Sequence, residues 1–297
     1  MWDQTVRAAF NAALAELKQH ATKSLMDYWR EDGNAPHYEF PLDCVPDPSA
    51  FPYPSLIPGS KIARAVERRK LRMCDVAPPP GITPPLEAQA AALVGRALVE
   101  LMSEHYLGDP HEMEIEIIAF SGGSTGTLKS LYDDESDFTL PWFARGSPMT
   151  VNEETISRTM AFDTSCNAAT WRYIVSVSAL SPWRDFNDLL EAKGDLRMAT
   201  SVLGRAGVME TAFPDAQIIF ERTLGLDAIF VQWLAGNFTG ILADKSQLNA
   251  GTGIPRGFLD LLFVEVETGV AEQLCAYFPP PAWLCFDQSL NTTVFEQ

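Results

Sequence analysis

From about residue 62 onward the sequence alternates between two hydrophobic periods, and this alternation most limits what the chain can fold into. Short apolar runs of roughly four to eight residues, rich in Ile, Val and Phe, read as buried strands. The stretches between them carry apolar residues every three or four positions and read as helices. A helix over Ile62–Arg69 leads to the run Leu71–Val76. A long helix over 86–106 puts Leu93, Ala97, Leu98 and Leu101 on one face, and Glu114–Phe120 follows as a strand. Ser121-Gly-Gly-Ser-Thr125 opens a further helix at Leu128–Tyr132, and Asp137–Trp142 reads as a strand. Strand, helix, strand, helix, strand is the order of a wound, mainly parallel sheet.

After a break the alternation resumes. Strands are expected at Tyr173–Val177, Leu196–Thr200, Ala216–Phe220 and Phe238–Leu242, with helices at Phe186–Glu191, Ala206–Ala212 and Ala228–Leu234. Leu259–Glu267 and Ala271–Tyr277 read as one more strand and helix. Two such series imply an α/β protein of two lobes, each a wound, mainly parallel sheet with flanking helices and a hinge between. The expected boundaries are 62–166 for lobe one, 167–255 for lobe two and 256–297 for a return to lobe one. The hinge is expected near 162–172 and the return crossing near 250–260. In open α/β sheets, ligands gather at the carboxyl ends of strands, near helix N-termini.

The first sixty residues differ. Val6, Phe10, Ala13, Leu14, Leu17, Leu25 and Tyr28-Trp29 fall near a 3.6 period, so residues 5–30 read as one amphipathic helix packed on lobe one. Residues 31–61 are Pro-rich without a period, as in an extended linker or a strap along the surface.

Composition narrows the function. At 297 residues and 46% apolar, the chain can bury a full core without disulfides or metals. A net charge of −17 repels phosphate backbones, which argues against nucleic-acid binding. Cys44, Cys74, Cys166, Cys275 and Cys285 show no metal-ligand spacing, so no metal is expected. Cys275 and Cys285 flank Pro279-Pro280-Pro281 and are either a pair or free buried thiols. No apolar run has the ~18 residues of a membrane span, and Trp2-Asp3-Gln4 does not open a signal peptide.

Several pieces, in order over about 62–265, resemble the type 2 periplasmic binding proteins of the amino-acid-type extracellular solute-binding kind. They are Val66-Glu-Arg-Arg-Lys-Leu-Arg-Met73 before the first strand, Phe120 to Asp137, and Arg158-Thr-Met-Ala-Phe-Asp-Thr-Ser165 at the hinge entry. Tyr173-Ile-Val-Ser-Val177 resembles the crossing strand, and Phe186–Met198 the helix and strand that open lobe two. Trp233–Asp244 resembles the family's "helix, Gly, strand, Asp". The sequence departs from the family where Val76-Ala-Pro-Pro-Pro80 replaces an aromatic, and between Asp137 and Arg158, where it is longer. Residues 10–29 resemble the helix with which family members often end. That implies a circularly permuted domain or one cut from a tandem array; the alternative is an unrelated N-terminal helix.

The resemblance implies capture of a small polar solute, an amino acid or related amine or carboxylate, by hinge closure, without catalysis or cofactor. The partners it implies are the ligand and a membrane transporter or receptor, for an otherwise monomeric protein. The location it implies is extracytoplasmic, although no export signal stands in this chain. A sensor or scaffold domain that has lost the ligand is the alternative. Asp244 is assigned the ligand amine, with a helix N-cap as its competing reading. Arg145 or Arg158 is assigned the carboxylate, since arginine clamps carboxylates in bidentate fashion; either also suits a hinge ion pair. Ser121, Ser124 and Thr125, and Gly204 with Arg205, stand at helix starts that offer backbone N–H groups. Asp75 and Trp142 complete the candidate ligand contacts, Trp142 as an aromatic wall. Trp171 reads as core packing.

Two enzymatic readings compete. Gly122-Gly-Ser124-Thr-Gly126 fits the nucleophile elbow of α/β-hydrolases. Their histidine follows the serine, yet His20, His37, His105 and His111 all precede Ser124. The Ser121–Thr125 loop also resembles the phosphate loops of sugar-phosphate enzymes, but Gly126 stands where those place Pro and no His follows.

Overall fold

A computed structural model of the chain describes residues 3–20, 38–39, 50–76, 86–120, 123–140, 143–144, 148–151, 154–157, 162–201, 203–221 and 225–279. The elements run α1 (Thr5–His20), β1 (Tyr38–Glu39), α2 (Lys61–Glu67), β2 (Lys70–Val76), α3 (Leu86–Leu107), β3 (Glu114–Phe120), α4 (Gly123–Tyr132) and β4 (Phe138–Thr139). Then come β5 (Phe143–Ala144), β6 (Pro148–Val151), β7 (Glu154–Ser157), β8 (Asp163–Thr164), β9 (Ala169–Ser178), α5 (Phe186–Ala192), β10 (Arg197–Thr200), α6 (Leu203–Ala212) and β11 (Gln217–Phe220). The chain continues with α7 (Leu226–Leu234), β12 (Gly240–Ile241), α8 (Lys245–Thr252), α9 (Arg256–Leu262), β13 (Phe263–Cys275) and β14 (Tyr277–Phe278).

The chain forms two compact units. Unit 1 is Met1–Gly33, Glu39–Thr170 and Gln273–Gln297; unit 2 is Asn34–Tyr38 and Trp171–Glu272. The boundaries at 170/171 and 272/273 fall inside β9 and β13 respectively.

In unit 1, β3, β2 and β4 form a parallel sheet in that order, with Leu71 opposite Ile115 and Met73 opposite Phe138. The buried stripe Val6, Phe10, Ala13, Leu14 and Leu17 turns α1 onto α2 and α3. Phe10 meets Phe138 and Phe278 edge-on at 5.4 Å each, an arrangement aromatic rings favour. Lys18 is buried because its ammonium donates to the Asn167 carbonyl at 2.7 Å.

Residues 51–60 hold no helix or strand and lie along α1 and α3. Tyr53 stacks on His105 at 3.9 Å and donates to Glu16 at 2.9 Å, while Tyr106 donates to the Pro54 carbonyl at 2.9 Å. The segment between Asp137 and Arg158 contains an antiparallel β6–β7 hairpin, which accounts for its extra length.

Unit 2 is built on the path β11, β10, β12, β9, β13. β10 runs parallel to β11 and β12, whereas β12 pairs antiparallel with β9 at Gly240–Val177 and Ile241–Ser176. Ile229, Phe230, Phe238, Ile241, Leu248, Leu259 and Phe263 form its core. Asp185 and Asp188 close a capping box on α5, satisfying N–H groups that a helix start leaves over.

Two expectations need correction. Residues 256–262 are helical, so the strand expected from Leu259 begins only at Phe263, and it runs on to Cys275 where a helix was expected. Phe263-Val-Glu-Val-Glu-Thr268 has the β-branched alternation of a strand. Leu274 and Cys275, in a helix-favouring run, pair antiparallel with Ala144 and Phe143, so tertiary pairing overrides propensity. Because Leu259 and Phe263 belong to the unit 2 core, the return crossing lies at 272/273 and not near 250–260. No described helix is long and apolar enough to cross a membrane.

Candidate functional site

Parallel strands bring their carboxyl ends to one edge of each unit, and the chemistry-bearing residues collect there. In unit 2, β10 ends at Thr200 and leads into α6, whose third residue is Arg205. β12 ends at Ile241 and leads through Asp244 into α8. Residues Trp171 and Tyr173 are two apart on β9, so the pleat points both rings to one face.

The Arg205 guanidinium lies 3.9 Å from the centre of the Trp171 ring and 5.9 Å from that of Tyr173. A cation over an indole face is held by the ring quadrupole while its in-plane N–H groups stay directed outward. One of these, on Nη1, donates to Gln247 Oε1 at 3.3 Å. The Gln247 backbone N–H in turn donates to Asp244 Oδ1 at 2.8 Å. Arg205 and Asp244 are therefore joined through one residue.

Asp244 is 3% exposed and is the N-cap of α8. Glu265 Oε1 accepts the next N–H, that of Lys245, at 2.7 Å. Behind the aromatic pair, the Tyr173 hydroxyl donates to the Glu272 carboxylate. Burial pushes the Tyr173 phenol up, the Glu272 charge pushes it further, and Arg205 opposes both. Tyr173 thus stays protonated and remains a donor at any physiological pH.

In unit 1, Asp75 lies near the carboxyl end of β2, opposite Ala119, and is partly buried. β3 ends beside it at Phe120, and α4 begins at Gly123. Ser124 and Thr125 lie in the first turn of α4, because the helix begins at Gly123, five residues before the expected start at Leu128. Gly204 and Arg205 likewise lie inside the first turn of α6, which begins at Leu203 where Ala206 was expected. Ser121, Trp142, Arg145 and Arg158 lie outside the described residues.

No family model and no curated protein matches the sequence. Among solved structures, PfVFT1 of Plasmodium falciparum aligns at 13% identity and a TM-score of 0.64, over 94% of this chain and 96% of that one. An ancestral cationic amino acid solute-binding protein aligns at 16% identity and TM-score 0.47, over 78% of this chain and 89% of that one. Holo ArgBP from T. maritima aligns at 14% identity and TM-score 0.42, over 73% and 85%. At a TM-score of 0.64, the likeness to PfVFT1 shows a shared fold. It has two α/β units, and the chain passes between them within β9 and again within β13.

Within that fold, the structure brings together Arg205 and Asp244 among the expected site residues, and places Asp75 with the α4 start in the other unit. Tyr173, Gln247 and Glu272 were not singled out from the sequence, and Trp171 was read only as packing. Two signals point to them. Trp171-Arg-Tyr173 has the strand period, and Asp244-Lys-Ser-Gln247 has the N-cap and third-residue spacing of a capping box. Nothing in the sequence pairs Glu272 with Tyr173, which stand 99 positions apart. Among the described residues, no three His, Cys, Asp or Glu side chains are grouped to hold a metal ion.

Proposed function

We propose that the protein binds a small polar solute, an amino acid or a related amine or carboxylate, without transforming it. Binding closes the two units about the strands β9 and β13. The observation that carries this reading is Arg205, held over Trp171 at the carboxyl edge of the unit 2 sheet and tied through Gln247 to Asp244. A guanidinium fixed on one face by an indole is preorganised to take a carboxylate along its edge, and little ordering entropy remains to be lost on binding. In unit 1, Asp75 and the first turn of α4 supply further polar contacts, with Ser121, Trp142 and Arg145 or Arg158 as the remaining candidates. The protein acts as a monomer in uptake or sensing outside the cytoplasm, delivering its ligand to a membrane transporter or receptor.

A thermal-shift screen against amino acids, betaines, carboxylates, sugar phosphates and simple anions tests the reading. A ligand that binds only the folded state at 100 times its Kd stabilises by about 2.7 kcal/mol. A selective rise in melting temperature with one class supports solute binding. No rise with any class refutes it and leaves a scaffold domain of the same fold.

A further inference from the structure

The loop from α7 to β12 contains Asn237-Phe238-Thr239, a triplet of the Asn-X-Ser/Thr form that oligosaccharide transfer requires, with a middle residue other than proline. Asn237 follows α7 in a Schellman turn. Its N–H donates to the Gln232 carbonyl at 3.1 Å, the Gly236 N–H donates to the Trp233 carbonyl at 2.9 Å, and Gly236 holds a left-handed φ of 80°. These backbone bonds fix where the residue stands and ask nothing of its side chain. That position commonly carries an apolar residue packed back on the helix; here it carries an exposed amide. Leu234, Ala235 and Gly236 before it are exposed too, so a large substituent on the amide would extend into solvent. The other two residues of the triplet are held by the fold. Phe238 is buried in the unit 2 core. Thr239 Oγ1 accepts the Arg197 N–H at 2.7 Å and donates to the Asp195 carbonyl at 3.1 Å. Folding thus engages the hydroxyl by which the triplet is recognised and leaves the acceptor amide outside, so a sugar chain would be added before this loop folds and tolerated afterwards. The loop precedes β12 and lies beside the start of β10, at the amino edge of the unit 2 sheet. Arg205 and Asp244 stand after the carboxyl ends of the same two strands. A sugar chain on Asn237 would therefore leave the candidate site uncovered.

We propose that Asn237 carries an N-linked oligosaccharide. The donor is a lipid-diphosphate-linked oligosaccharide. The Asn237 amide nitrogen forms a bond to C1 of its first sugar, the C1–O bond to the diphosphate breaks, the lipid diphosphate leaves with that electron pair, and the amide gives up one proton. The proposal rests on the extracytoplasmic part of the reading above. Digestion of the full chain from its own cells with an N-glycan amidase, in heavy-oxygen water, tests it by mass spectrometry. The expected result is that Asn237 is recovered as Asp labelled with the heavy oxygen, and that the digestion speeds the protein by one glycan step on a gel. In the full chain sent through a eukaryotic secretory route, Asn237→Gln should lose that step, and Thr239→Ser, which keeps the triplet, should retain it. Unmodified Asn237 in protein recovered from outside the cytosol overturns the proposal and leaves the location and solute binding standing. Labelling at the chain's other such triplet, Asn291-Thr-Thr293, without labelling at Asn237 also overturns it. Unmodified Asn237 in protein recovered from the cytosol removes the extracytoplasmic location and this proposal with it.

Discussion

Replacing Asp137 by Ala should destabilise unit 1 by about 2–4 kcal/mol, somewhat less than the ~3–5 kcal/mol lost when a fully buried ion pair is broken. Asp137 immediately precedes β4 and is 3% exposed. One carboxylate oxygen accepts both the Arg72 backbone N–H at 2.8 Å and an Arg68 guanidinium N–H, and the other accepts Arg72 Nη2 at 3.0 Å. Desolvation disfavours the charge on Arg72, but the hydrogen bond and charge of Asp137 outweigh it and raise the guanidinium pKa. Alanine would strand all three donors. The two arginine side chains are 37% and 25% exposed, so water partly replaces the carboxylate, which sets the figure below that of a fully buried pair. At about 2–4 °C per kcal/mol for a unit of this size, the melting temperature should fall by ~4–16 °C. The two units need not unfold together, so hydrogen exchange at β2 and β4 accompanies the thermal scan. Asp137→Asn keeps an acceptor for the Arg72 N–H and should lose about half as much. A cost for Asp137→Ala below ~0.5 kcal/mol would refute the argument, since that is the size of a solvated surface pair.

Two other substitution and labelling experiments follow from buried groups. Asp244→Ala should cost ~1 kcal/mol and Asp244→Asn only a few tenths, because Asn caps a helix as well as Asp does; denaturant titration measures both. Lost ligand binding in a stably folded Asp244→Asn variant would show that the carboxylate charge meets the ligand, contrary to the cap assignment. The Cys74 thiol is buried and pushed up to about 11 by that burial. It should resist iodoacetamide at pH 8 until the protein is unfolded, since the thiolate is the reacting form; rapid native labelling detected by mass spectrometry would contradict its burial.

The α/β architecture was legible because each buried parallel strand is a short run of uniform character. Glu114–Phe120 was read with the bounds the structure has, and Leu196–Thr200 to within one residue. Helix starts were read late at α4 and α6, because Gly123, Ser124 and Gly204 are weak helix formers that a following helix recruits into its first turn. The tail of β13 misled for the opposite reason. Ala271-Glu-Gln-Leu-Cys275 favours a helix locally, and only pairing with residues far away in sequence makes it a strand. The site was half legible. Arg205 and Asp244 follow from their places after strands, a rule of chain direction. Glu272 does not, because its meeting with Tyr173 depends on the register of β9 against β13.

Tyr173 is 1% exposed, and its hydroxyl bond to Glu272 links β9 to β13 near the points where both strands pass between units. Its carbonyl also accepts the Thr268 hydroxyl at 2.9 Å, a second tie between the same strands. Tyr173→Phe removes only the hydroxyl and leaves no cavity, so packing against Trp171 at 5.0 Å is kept. Glu272 is partly buried, so the loss should sit near the lower end of the ~1.5–3 kcal/mol of a bond to a charged group. If closure turns on these strands, loosening one tie shifts the balance of open and closed forms, and apparent affinity changes by the competent fraction. The expected pattern is faster hydrogen exchange in β9 and β13 with an altered Kd for every ligand by the same factor. A Kd change for one ligand alone would instead make the Tyr173 hydroxyl a direct contact. Unchanged exchange and unchanged Kd together would mean that the crossing strands do not govern closure.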